Sequence, residues 1–137
     1  MKAYRSSVSK LPGTNYKEAY LKAHIFYKRI RSRSKRRPYI RSAYFKKSKI
    51  FLGLFWQHLD LKNWRDRHRR IRLFPCAIDL IQNSRFDPTT KQNPNKPDEL
   101  LHRFAGLTRD NELFFVQIKE DRSSDQKWLV SVFPEDT

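Results

Sequence analysis

The closing stretch "LLHRFAGLTRDNELFFVQIKEDRSSDQKWLVSVFPED", residues 100–136, carries His102, Arg103, Lys119 and Ser131 among apolar neighbours. These residue types could cleave RNA without a metal. That chemistry needs one group to take the 2′-hydroxyl proton and another to protonate the leaving 5′-oxygen. It also needs a cation to stabilise the charge that builds on the phosphorane. Histidine as a residue type can exchange protons, Lys119 and Arg103 supply positive charge, and Ser131 can donate a hydrogen bond to a phosphate oxygen. A His and a Lys on one strand pair are also ordinary surface residues. The elements that position them therefore decide between the two.

Three runs rich in β-branched and aromatic residues, 101–107, 113–119 and 127–133, read as strands separated by turn clusters. Asp110-Asn111 suits a two-residue hairpin turn, which would pair Arg109 with Glu112. His102 would then face Lys119, and both would share a side with Gln117. Phe114, Val116 and Ile118 would point the other way. A slip of one residue would instead put Arg103 beside Gln117 and Lys119. The second turn, "EDRSSDQ", has no equivalent marker and leaves the face of Ser131 open.

Upstream the period is helical. Residues 1–15 read as a loose leader. Aromatics at 16, 20 and 27 mark one helix face, ended near Arg36 by Pro38. A second helix is expected over about 42–59, where Leu52, Phe55, Trp56 and Leu59 keep helical spacing. "PCAIDLIQNS" opens with Pro75 at a first helical position and should cover Val116, Ile118, Val130 and Val132. Residues 84–99 hold three prolines and read as a loop. The expected fold class is α+β, with basic N-terminal helices followed by a small antiparallel sheet.

Charge is unevenly divided. Residues 1–74 hold 22 Lys and Arg against three acids, while residues 75–137 hold 8 against 11. With a formal charge of +16, this favours a polyanionic partner. Two regions follow: a basic helical grip at 1–74 and a compact catalytic unit at 75–137. The grip would use Lys28, Arg29, Arg31, Arg33, Lys35, Arg36, Arg37 and Arg41, then Arg65, Arg67, Arg69 and Arg70. RNA or the ribosome is the expected partner, with duplex DNA or simple RNA binding as alternatives.

Other chemistries find little support. His24, His58, His68 and Cys76 lack metal-ligand spacing, and no glycine-rich phosphate loop exists, so no metal or cofactor is expected. Cys76 sits among apolar neighbours and reads as a buried structural thiol. The longest apolar run, "IFLGLFW", is too short to span a bilayer. The single cysteine and the polar N-terminus point to a cytoplasmic location without membrane contact.

The pieces "KPDELL" at 96–101, "FFVQIK" at 114–119 and "SVF" at 131–133 resemble the barnase–EndoU–colicin–RelE-like nucleases (the BECR fold), particularly their phage-associated branch. The resemblance spans about residues 76–133. It implies a small α+β ribonuclease, metal-independent and toxin-like, with Lys119 and Ser131 at matching motif positions and His102 and Arg103 near them. An antitoxin-like partner protein would fit that setting. The helical Arg-His motif of some members has only "RDRHRR" at 65–70 as a counterpart, far upstream.

Overall fold

The computed structural model describes residues 2–135. Its elements are β1 (Ala3–Arg5), α1 (Tyr16–Ser32), β2 (Tyr39–Arg41), β3 (Lys49–Phe51), α2 (Gly53–Asp60) and α3 (Trp64–Ile71). These are followed by α4 (Phe74–Asn83), β4 (Thr89–Asn93), β5 (Lys96–Leu107), β6 (Leu113–Asp121) and β7 (Gln126–Pro134).

The seven strands form one mixed sheet ordered β1-β5-β6-β7-β3-β2, with β4 also paired to β5. β1 runs parallel to β5, and β3 parallel to β7. The expected arrangement of N-terminal helices followed by a small antiparallel sheet, as in the BECR and RelE-like folds, is therefore corrected. Three strands come from the front of the chain and two of them pair in parallel. Each is only three residues long, too short for a period-2 pattern to show. Their partners lie far away in sequence, so no local signal announces them.

The same cause explains the element boundaries. The segment read as one helix over 42–59 is a turn, the strand β3 and the helix α2. Ile40 and Ile50 face each other across β2 and β3 and are buried. The supposed leader contains β1, and the supposed loop at 84–99 contains β4 and the start of β5. Helix α1 stops at Ser32, short of Arg36. Its start follows local rules: the Asn15 side chain accepts from the Glu18 amide at 2.9 Å, with Glu18 in the first turn.

Helix α4 covers one face of the sheet, burying Phe74, Cys76, Ala77, Ile78, Leu80 and Ile81. Opposite them lie Phe104, Phe114, Val116, Ile118, Leu129 and Val132. Gly106 is required at this contact. A Cβ there would come within 2.6 Å of the Phe114 ring and 2.8 Å of Leu80. Ile40, Ile50, Leu52, Phe55, Leu59 and Ile71 belong to the same core. The two halves that differ so sharply in charge thus share one sheet and one interior.

Candidate nucleic-acid interface

Two local features set the faces of the terminal strands. The first hairpin closes with Thr108 donating its amide to Glu112 at 2.9 Å, and Asn111 alone adopts a left-handed backbone, with φ 66°. This is a three-residue connection rather than the expected two-residue turn. Glu112 pairs with Lys10 at 2.6 Å, not with Arg109. The register consequently slips by one, and Arg103 opposes Gln117 while His102 opposes Ile118. The second feature is a bulge in β7. Gln117 opposes Ser131, yet Ile118 opposes Leu129, which leaves Val130 as the extra residue. The bulge lets Leu129 and Val132 both face the core while Ser131 faces outward.

Arg103, Lys119 and Ser131 therefore share the outer face of the sheet, and His102 does not. His102 is 6% exposed on the core face. Its Nδ1 lies 2.7 Å from Thr90 Oγ1, and its Nε2 lies 2.8 Å from Glu120 Oε1. Glu120 also meets the buried Lys127 at 3.6 Å, and the Phe45 ring packs edge-on against the imidazole. Phe45 is held there by the turn at 42–48, where Lys46 and Lys47 both take positive φ. Nearby Tyr44 has its phenol pKa raised by burial, with Asp87 beside it adding to the effect. Both ring nitrogens of His102 have protein partners, and the ring has no route to the outer face. Val130 was expected in the core; it lies at the bulge and lines the outer cleft instead.

On the outer face a polar row crosses three strands and reaches α3. The Gln117 amide, with its oxygen turned to Arg103, accepts from Arg103 Nη2 at 3.0 Å and Nε at 3.3 Å. At the far end Arg70 Nη1 donates to Ser131 Oγ at 2.7 Å, with Asp66 supporting Arg70 Nε at 3.3 Å. Phe115 and Phe133 lie together beneath this row, with centroids 5.4 Å apart. Arg103 stacks 5.3 Å from the Phe133 centroid and Arg70 5.6 Å from it. Arg103 has no carboxylate partner among the described residues, so its charge is available to a ligand.

The curl of the sheet turns this face into a cleft. A cavity of about 330 Å³ is bounded by Thr89, Lys91, Leu101, Arg103, Phe115 and Gln117. A second, of about 320 Å³, shares Lys91 and Leu101 with it. There α2 supplies Leu54 and His58 on one side, and the β4–β5 hairpin supplies Gln92, Asn93 and Pro94 on the other. Lys119 lies on the floor, 3.6 Å from Glu99 and over the Trp128 ring at 5.0 Å. Sequence reasoning assigned no role to His58, Lys91, Glu99, Phe115 or Phe133. The alternation Phe115-x-Gln117-x-Lys119 was the one available signal, once the register was known.

The basic residues of the front half separate into two groups. Lys28, Arg29 and Arg31 lie in the last turns of α1, and Arg33 caps it. Lys35, Arg36 and Arg37 continue to the edge of the sheet, where they gather with Lys49, Tyr39 and Phe51. Arg37 sits 4.2 Å over the Phe51 ring, and Arg41 5.6 Å over Tyr39. The second group is on α3: Arg65 stacks on Trp64, Arg67 on Tyr16, and Arg69 meets Asp66 at 4.0 Å. Of this group, Arg70 is the residue that joins the polar row at Ser131.

No three His, Cys, Asp or Glu side chains gather as a metal site among the described residues, and no described helix is long and apolar enough to cross a membrane. A comparison of the chain with known protein families, with characterised proteins and with solved structures finds no match.

Proposed function

We propose that the protein binds single-stranded RNA along the outer cleft of its sheet. The observation that carries this reading is the Arg103–Gln117–Ser131–Arg70 row over Phe115 and Phe133. Guanidinium groups at both ends suit successive phosphates, and aromatic rings on an open sheet suit unstacked bases. A cleft floored by a sheet, with cations along it and aromatic rings at hand, suits a single strand. The unpaired cations at the β2 edge would extend the electrostatic attraction beyond the cleft.

The test is fluorescence anisotropy with labelled single-stranded RNA, the same DNA sequence and duplex DNA. Arg103→Ala should weaken RNA binding by roughly tenfold or more, because a hydrogen bond to a charged group is lost. Binding by Arg103→Ala equal to the parent, or a preference for duplex DNA, counts against the cleft.

Metal-independent cleavage of the bound strand is the second reading. It is favoured by His58, which lines the same cavity as Lys119 and brings to this face the imidazole that His102 does not. Cleavage of bulk RNA in EDTA, lost in His58→Ala and in Lys119→Ala but kept in His102→Gln, would select this reading over binding alone.

A further inference from the structure

We infer that the cavity between α2 and the β4–β5 hairpin is a pocket for one guanine base of the bound strand. This rests on the single-stranded RNA reading above and adds a sequence preference to it. The cavity, about 320 Å³, has apolar walls at Leu54, Pro94, Leu101 and Val130. Flat apolar walls suit the faces of a base. The Glu99 carboxylate lies within it, 3.6 Å from Lys119 Nζ, and its second oxygen accepts from Asn93 Nδ2. The carboxylate is the one acidic group of a lining that also holds Lys91 and Lys119; it repels a phosphate, yet it readily accepts N–H groups. Phosphates therefore belong at Lys91, Arg103 and Arg70, and a base belongs beside Glu99.

Side by side, Lys119 and Glu99 present one donor and then two carboxylate oxygens, each with a lone pair left beside its contact to Lys119 or Asn93. Guanine's Watson–Crick edge offers the complement, O6 as acceptor, then N1–H and the N2 amino group as donors. Uracil and cytosine would each set a carbonyl oxygen against the second carboxylate oxygen, and adenine would set a C–H there. Asn93 holds the carboxylate in place: its own Oδ1 accepts from the Asn95 amide at 2.9 Å. The neighbouring cavity at Arg103 begins two residues along β5, a step of about 6.8 Å, so one extended strand can occupy both.

The experiment measures anisotropy of the full chain with four labelled oligouridine probes that carry G, A, C or U at one central position. The G probe should bind tighter than the others by about 5- to 150-fold, the range of one good bidentate base contact. Replacing that guanine by inosine, which lacks the N2 amino group, should weaken binding by about tenfold with no change to the protein. Glu99→Gln, checked for native thermal melting, should lose the G preference while keeping its affinity for the U probe. Equal affinity for all four probes, or a G preference that persists in Glu99→Gln and with inosine, overturns the guanine pocket alone. Failure to bind any probe overturns it together with the RNA reading.

Discussion

His102 shows how a residue type alone can mislead. An imidazole beside lysine suggests proton transfer, but here both nitrogens are committed, to Thr90 and to Glu120, behind the sheet. Its role is to pair a half-buried carboxylate that also meets Lys127, which is 4% exposed. Buried polar groups of this kind must be paired to be tolerated. Cys76 follows the same logic with an apolar outcome. Its thiol is fully buried and donates to the Val8 carbonyl at 3.4 Å. Burial, and then the nearby Asp79 charge, push its pKa from 9.0 up to about 12. The folded state thus keeps a proton that the unfolded chain gives up. Its contribution is complete below pH 9 and is lost as pH rises towards 12. Across that window stability should fall by about 1.4 kcal/mol per pH unit on account of this one group. In Cys76→Ala the alkaline slope, read from urea melts at several pH values, should be shallower by about that amount. An unchanged slope would mean the thiol is not shielded.

At the scale of the element, α4 and β6 form the part of the fold whose parity was read from sequence as it stands. Val116 and Ile118 are fully buried in the core that α4 shares, as expected, and Val130 departs only because of the bulge. Ile118→Ala should cost about 2–4 kcal/mol from lost burial and the residual cavity. Val130→Ala, on the open side, should cost well under half as much in the same denaturant titration. Similar losses at both positions would contradict the assignment of faces. The hairpin turn carries the opposite lesson. One left-handed residue, Asn111, in place of two moved every side chain of β5 relative to β6. A shift of a single residue was enough to exchange His102 for Arg103 at the site.

For the whole molecule, the basic residues act as a field around a neutral-to-acidic hairpin sheet rather than as a detachable arm. β2 and β3 extend the sheet beside β7, so the electrostatic edge and the cleft belong to one continuous sheet. RNA affinity should fall with salt at a log–log slope steeper than about −3, equivalent to about five or more phosphate contacts on a single strand. Replacing Arg36, Arg37 and Lys49 with Gln should make that slope shallower by about 2 if all three meet phosphates. A slope unmoved by the triple substitution would remove the β2 edge from the RNA path.

Composition, the strands β5 to β7 and the helix α4 were legible in the sequence, because each rests on local periodicity, turn residues or a proline at a helix start. The strong basic field of the front half was legible too, since charge adds up whatever the fold. What tertiary structure alone decided was the pairing of β1 with β5 and of β3 with β7. Parallel contacts of a three-residue strand with a partner far along the chain leave no mark on neighbouring residues. It also decided which polar residues meet. Arg103, Lys119 and Ser131 came to share one face with Glu99, and His58 and Arg70 joined it from α2 and α3. Register and bulge are set by the competition of many packing contacts across the sheet. A face, and therefore a site, follows from that competition rather than from spacing along the chain.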